Sequence, residues 1–158
     1  TGHISTRNGV YFLKNRLSED DYVIIHDAAR PIVYQDIIDD LIEKAKANGN
    51  ACSAVSCYET VVLTENRTSG KEQIDRNRIV RVQTPQCYNY GLIKSLYEKA
   101  DKDNREDFVY ANILAMNYGV EIYFSKGTNN NIKITTKDDI ALFRALLYYI
   151  NNAEGEEN

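Results

Sequence analysis

Residues 22–56 restrict the fold more than any other stretch of this sequence. Tyr22-Val-Ile-Ile-His26 is a short continuous apolar run, which reads as a strand buried on both faces, as in a parallel sheet. It stops at Asp27-Ala-Ala-Arg-Pro31, where Pro31 disfavours helical backbone at Arg30. Over residues 35–47 the apolar positions Ile37, Ile38, Leu41, Ile42 and Ala45 keep a helical spacing, and Asn48-Gly49-Asn50 ends the helix. Ala51-Cys-Ser-Ala-Val-Ser56 is the next strand. Strand, helix, strand is the repeating unit of a parallel sheet, so the chain is expected to be α/β.

The pattern changes after Ser56. Residues 58–63 are β-rich, residues 64–71 are polar with Ser69-Gly70 as a turn signal, and residues 79–83 alternate again. Two β runs around a polar turn make a hairpin, an arm over about 57–83. Such an arm either packs on another subunit or is a plain surface hairpin. Residues 91–100 and 107–118 read as helices, with Gly119 ending the second. Residues 120–124 read as a strand, and 131–135 as a short β segment after a Gly/Asn loop. Thr136-Lys-Asp-Asp139 has the form of an N-cap with acidic first-turn residues, and residues 140–150 form a closing apolar helix. Residues 151–158 read as a disordered acidic tail. Residues 1–10 carry neither a helix start nor a signal peptide. No internal repeat and no second domain is visible.

Composition narrows the function classes. The 158 residues are enough for one domain with a real core, and 43% apolar with 27% charged is ordinary for a globular protein. The formal charge of -4 speaks against general nucleic-acid binding, which needs a basic face to release phosphate counterions. Local basic residues can still hold a small phosphorylated ligand. No apolar run is long enough for a transmembrane helix. Cys52, Cys57 and Cys87 fit no metal or redox spacing, so reduced thiols in a cytoplasmic protein are expected. His3 and His26 are too few for a His-rich metal site, which speaks against a zinc enzyme.

Four short segments could carry chemistry. Ligands of open α/β sheets bind at the carboxyl ends of strands, where Asp27 stands. A carboxylate there can hold Mg2+ or a ligand hydroxyl, Ala28 and Ala29 allow close backbone approach, and the planar fork of Arg30 suits phosphate. A capped loop with a surface ion pair explains the same residues. Read alone, Thr84-Pro85-Gln86 is an ordinary turn, Lys133 a solvated cation, and Asp75-Arg76-Asn77-Arg78 a surface basic cluster.

Their order says more. His26-Asp-Ala-Ala-Arg-Pro31, then Asp75-Arg76, Gln83-Thr-Pro-Gln86 and Asn131-Ile-Lys-Ile-Thr-Thr136 with Asp139, resembles the family of 2-C-methyl-D-erythritol 4-phosphate and ribitol-5-phosphate cytidylyltransferases. The resemblance runs from about Val10 to Leu147. It implies a Rossmann-like, mostly parallel sheet with a protruding β-hairpin arm. It implies CMP transfer from CTP to a sugar-alcohol phosphate with Mg2+, in a cytoplasmic homodimer joined through the arms, with no nucleic acid and no membrane. 2-C-methyl-D-erythritol 4-phosphate, an isoprenoid precursor, stands first as acceptor. Ribitol 5-phosphate or another polyol phosphate of surface-polymer synthesis is the alternative, and a non-catalytic nucleotide-binding or dimerisation module is a third reading.

The resemblance also implies site residues. Asp27 matches a carboxylate beside the substrate and the metal-bound nucleotide, Ala28 lies against the nucleotide, and Arg30 against the acceptor phosphate. Thr60 and Arg76 match arm residues that reach into the neighbouring subunit's site. Thr84 matches a substrate-contacting Thr, and Lys133 a Lys beside the reacting α-phosphate. Glu106-Asp107-Phe108 takes the place of a Thr-Asp-Asp/Glu run, which makes Glu106 a substrate-facing candidate. Arg7-Asn-Gly-Val10 matches, one residue short, an Arg-x-x-Ser-Val segment near CTP, which makes Arg7 and Gly9 nucleotide-binding candidates. Asn130 stands where many members have Asp. The family's Gly-rich phosphate loop has no counterpart here. Residues 1–150 are therefore expected to be the C-terminal major part of a single domain, without its nucleotide-binding segment and inactive alone.

Overall fold

The computed structural model describes residues 2–153. Its elements in chain order are α1 (Gly2–Phe12), β1 (Tyr22–Ile25), α2 (Gln35–Asn48), β2 (Asn50–Ser56), β3 (Val61–Leu63), β4 (Glu72–Ile74), β5 (Val80–Asn89), α3 (Tyr90–Lys102), α4 (Ala111–Asn117), β6 (Phe124–Lys126) and α5 (Lys137–Ala153). A 3-10 turn over Arg76–Arg78 separates β4 from β5.

The strand–helix–strand unit forms as its spacing requires. Ile37, Leu41 and Ala45 share the buried face of α2, and Gly49 closes the helix at φ 84° while its N–H donates to the Ala45 carbonyl. The main sheet has the order β1-β5-β2-β6. β1 and β2 are both antiparallel to β5, and β2 is parallel to β6. β1, β2 and β6 therefore run one way, but the expected mostly parallel sheet is corrected, since two of its three ladders are antiparallel. Only one ladder is parallel, because the chain leaving the arm re-enters the sheet as β5, between β1 and β2.

Alternation along the strands divides the core into two layers. Ala51 and Cys87 face α2 and pack with Leu41 and Ala45. Cys52 and Tyr88, their chain neighbours, face the opposite layer with Val10 of α1, Ile93 and Tyr97 of α3, and Leu114 of α4. Fully buried Leu41, Ile93 and Leu114 each contribute on the order of 2 kcal/mol of apolar burial.

Several expectations need correction. Residues 2–12 are helical although nothing in their sequence signals a helix start. Tertiary contacts override weak propensity: His3 and Val10 are buried, Arg7 meets Asp101, and the Tyr90 hydroxyl donates to the Val10 carbonyl. β1 is not buried on both faces: among the described residues it pairs with β5 alone, and Ile24 is 43% exposed. The return limb of the arm is β4, paired with β3, whereas residues 80–83 belong to β5. Thr84-Pro85-Gln86 is no turn but lies inside β5. Residues 131–135 form no strand, although the Ile134 N–H donates to the Ala29 carbonyl at 2.8 Å. The second late helix begins only at Ala111. α5 extends through Ala153, so only residues 154–158 of the expected tail lie outside the described residues.

Candidate functional site

The site begins where β1 ends. Residues 26–30 form a turn in which the Arg30 N–H donates to the Asp27 carbonyl at 2.9 Å, and His26 Nε2 lies 2.8 Å from the Arg30 carbonyl. The Asp27 N–H donates to Thr84 Oγ1 at 3.0 Å. This fixes the first turn residues past β1 against the middle of β5.

An irregularity in the sheet points Thr84 there. Cys52 pairs with Gln86 and Ala54 with Val82, so Gln83, Thr84 and Pro85 stand against Ser53 alone. A bulge accommodates Pro85, which has no N–H for a ladder, and re-aims its neighbours. The buried amide of Asn131 donates to the Thr84 carbonyl at 2.7 Å, and the Asn131 carbonyl accepts from Arg30 Nη1 at 2.7 Å. Gln83 Nε2 donates to the Thr128 carbonyl at 2.9 Å. The loop before Asn131 lies so close that a Cβ on Gly127 would fall 2.6 Å from the Ala54 carbonyl oxygen. The Asn run is thus structural. Asn129 accepts from Arg81 at the root of the arm, Asn130 donates to the Tyr34 hydroxyl, and Asn131 ties β5 to the turn after β1.

This scaffold brings Lys133 to Asp27. Nζ lies 2.9 Å from Asp27 Oδ2, and Arg30 Nε lies 3.6 Å from the same oxygen. The Asp27 carboxylate raises the Lys133 pKa above its ordinary value, with Tyr110 as a lesser contributor, so the ammonium is fully protonated at neutral pH. Two clefts meet at Asp27. One, of about 200 Å³, is lined by Gly2, Thr6, Thr84, Val109 and Lys133 among others. The other, of about 280 Å³, is lined by Arg30, Gln83, Asn112, Ile113 and Met116 among others. Asp27, Thr84, Gln86 and Tyr110 border both. Two cations, a carboxylate and short polar side chains around small clefts suit a phosphorylated, hydroxyl-bearing ligand.

Of the residues singled out in the sequence, Asp27, Arg30, Thr84 and Lys133 come together here. Ala28 lies exposed on the same turn. Arg7 and Glu106 meet each other at 3.0 Å instead, with Arg7 also 2.8 Å from Asp101. Gly9 lines neither cleft but an apolar groove next to the smaller one, beside Ile24 and Ile25. Thr60 is exposed on the arm, and Arg76 Nη1 donates to the Tyr58 carbonyl at 3.0 Å; neither lines the two clefts. Gln86 belongs to a motif singled out in the sequence, whereas Val109, Tyr110 and Asn112 were missed. Tyr110 carried no usable signal, because the sequence places it inside a helix over residues 107–118 and only the structure makes it the N-cap of α4.

Comparisons with known proteins agree with the ordered motifs. The family model for 2-C-methyl-D-erythritol 4-phosphate cytidylyltransferase matches residues 4–149. The chain is similar to a ribitol-5-phosphate cytidylyltransferase of Lacticaseibacillus paracasei, at 39% identity over 90% of this chain and 62% of that protein. It is similar to a 2-C-methyl-D-erythritol 4-phosphate cytidylyltransferase of Clostridium novyi, at 35% identity over 84% of this chain and 57% of that protein. The crystal structure of the Francisella tularensis 2-C-methyl-D-erythritol 4-phosphate cytidylyltransferase superposes with a TM-score of 0.79 at 28% identity, over 91% of this chain and 67% of that one. The chain thus spans about 60% of the length of the curated relatives it matches.

Proposed function

From the premise that this chain belongs to the 2-C-methyl-D-erythritol 4-phosphate cytidylyltransferase family, we propose that the whole protein transfers CMP from CTP to a sugar-alcohol phosphate and releases pyrophosphate. The observation that carries the proposal is the 2.9 Å pair of Lys133 and Asp27 at the end of β1, bordered by Arg30 and Thr84.

The chemistry asks for positioning and charge neutralisation. An oxygen of the acceptor phosphate attacks the α-phosphorus of CTP, and a new P–O bond forms. The bond from that phosphorus to the bridging oxygen breaks, and pyrophosphate leaves with the electron pair. No proton need move. Lys133 offsets the negative charge that gathers on the α-phosphate in the transition state. Arg30 holds the acceptor phosphate, and Asp27 with Thr84 takes acceptor hydroxyls.

Mg2+ fits the same centre. Asp27 offers a carboxylate oxygen, the hard donor that Mg2+ takes, and Mg2+ commonly completes its shell with substrate phosphates and water. When bound it supplies charge neutralisation to the triphosphate. Ala28, on the exposed turn beside Asp27, borders the nucleotide in this reading. In this reading Arg7 and Gly9 border the nucleotide and Glu106 the acceptor, although Arg7 and Glu106 pair with each other and not with Asp27 or Lys133.

The protein acts as a homodimer, in which Thr60 and Arg76 of one arm complete the other subunit's site. Support comes from exposed apolar side chains on the arm (Tyr58, Val62, Leu63) and on α5 (Leu142, Tyr148, Tyr149), surfaces suited to burial against a partner. Free cysteines at 52, 57 and 87 suit a reducing cytoplasm. No helix among the described residues is long and apolar enough to cross a membrane.

2-C-methyl-D-erythritol 4-phosphate is the first acceptor, carried by the family match. Ribitol 5-phosphate is the second reading, favoured by the 39% identical relative. The test is a competition between these two and glycerol 3-phosphate on the whole protein, ranked by kcat/KM. A win for ribitol 5-phosphate keeps the reaction and changes the acceptor. Tight CTP binding without transfer to any of the three contradicts the proposal.

A further inference from the structure

Tyr110 has no role in the CMP transfer as proposed, and local structure does not explain it. It is the N-cap residue of α4, yet its side chain makes no capping hydrogen bond. A Tyr at that position gives up the stabilisation that a Ser or Asp would supply. Core packing does not account for it either, since Tyr110 is 43% exposed. Phe108, two residues earlier, is the side chain that anchors this segment in the core.

The ring lies instead beside the cation of the site. Lys133 Nζ is 5.4 Å from the Tyr110 ring centroid, within the range where an ammonium is attracted to an aromatic face. Lys has a long flexible stem, and fixing its head in one place costs rotamer entropy. Here the head lies within reach of both the Asp27 carboxylate and the Tyr110 ring. When a ligand phosphate or metal ion draws on Asp27, the ring remains as a wall that limits where Lys133 can go.

Tyr110 also stands between the two clefts and borders both. In the larger one it joins apolar Val82, Ile113 and Met116 in a lining that also holds Asp27, Arg30, Gln83, Thr84, Gln86 and Asn112. Ile113 and Met116 are themselves exposed, so these side chains belong to the cleft and not to the core. A polyol phosphate placed there finds polar groups for its hydroxyls and apolar side chains, Tyr110 among them, for its carbon chain.

We propose that Tyr110 is a positioning and specificity-determining residue: its ring holds the Lys133 ammonium beside Asp27 and sets the space left for the carbon chain of the acceptor. The acceptor half of this inference rests on the proposed function. The Lys133 half rests on geometry alone.

Two variants of the whole protein test it, Tyr110→Phe and Tyr110→Ala. NMR first reads the Lys133 side chain, assigned by its loss in Lys133→Arg. The aromatic ring displaces the Lys133 Hε signals upfield in the wild type and in Tyr110→Phe, and Tyr110→Ala returns them to their ordinary position. Unmoved signals in Tyr110→Ala overturn the inference. Kinetics then read CMP transfer. Tyr110→Ala lowers kcat by about 10-fold, while Tyr110→Phe stays within about 2-fold of the wild type. In Tyr110→Ala the kcat/KM ratio moves at least about 5-fold towards the longer ribitol 5-phosphate, and away from 2-C-methyl-D-erythritol 4-phosphate. Wild-type turnover and selectivity in Tyr110→Ala contradict the inference and leave the proposed function standing. No transfer by the wild type contradicts the proposed function, and with it the acceptor role of Tyr110.

Discussion

Lys133 and Asp27, far apart in the sequence, meet at 2.9 Å because Asn131, two residues before the Lys, is bonded to the backbone of Thr84 while Thr84 Oγ1 accepts from the Asp27 backbone. One buried amide therefore places the cation of the site relative to its carboxylate.

Lys133→Ala lowers kcat on the order of 10²-fold and raises KM for CTP much less, because the ammonium acts on charge that develops in the transition state. Steady-state kinetics over a range of CTP concentrations separate the two effects. A change confined to KM assigns Lys133 to ground-state binding.

Asn131→Ala removes a buried hydrogen bond and leaves the Thr84 carbonyl unpaired. It costs about 1–3 kcal/mol of stability, read by urea unfolding. The same variant lowers CMP transfer although Asn131 touches neither Asp27 nor Lys133 through its side chain. Unchanged stability together with unchanged activity contradicts the role given to this amide.

Much of this arrangement was legible in the sequence, and the reasons for the rest are physical. The strand–helix–strand unit showed in the spacing of Ile37, Leu41 and Ala45, and the cap of α5 showed in Thr136 and Asp139. In the structure the Asp139 carboxylate accepts from the N–H groups of Thr135 and Thr136. β5 escaped because a Pro inside a strand reads as a turn unless the bulge at residues 83–85, opposite Ser53, is known. α1 escaped because its stability comes from contacts such as Arg7 with Asp101, which no local pattern announces. Asp27, Arg30, Thr84 and Lys133 were found through the order of their motifs. Tyr110 was hidden because an aromatic residue near a helix start reads as core.

His3 gives α1 a pH dependence. It is buried between Tyr97 and Phe108, with neither ring nitrogen hydrogen-bonded. Burial, and the nearby Arg7, push its pKa below 6.5, with Glu106, Asp101 and Asp107 opposing. The folded state thus holds His3 neutral, and the unfolded chain takes up a proton as the pH falls through 6.5. The stability tied to neutral His3 is present above pH 6.5 and is lost as the pH falls from there through the folded value. Urea unfolding at about pH 7.5 and about pH 5.5, on either side of the unfolded value, reads this directly when wild type and His3→Phe are compared. The wild type loses more stability across that interval than the variant does, and equal losses contradict the assignment.

The arm makes a prediction about subunits. Arg76→Ala and Asp27→Ala proteins are each nearly inactive, since losing a charge-assisted contact in a desolvated site costs on the order of 2 kcal/mol or more. After subunit exchange, half the dimers are mixed and each holds one intact site, so activity returns to about a quarter of the wild type. No recovery after verified exchange means that the arm serves its own subunit.

The central claim is that this site joins CMP to an acceptor phosphate. The most direct measurement is 31P NMR of the whole protein incubated with CTP, Mg2+ and 2-C-methyl-D-erythritol 4-phosphate or ribitol 5-phosphate. The account predicts loss of the CTP signals, release of inorganic pyrophosphate, and a pair of coupled diphosphate resonances from the CDP-polyol, all in equal amounts and all absent with Lys133→Ala. Unchanged CTP with both acceptors, or its conversion to CDP and orthophosphate, would contradict it.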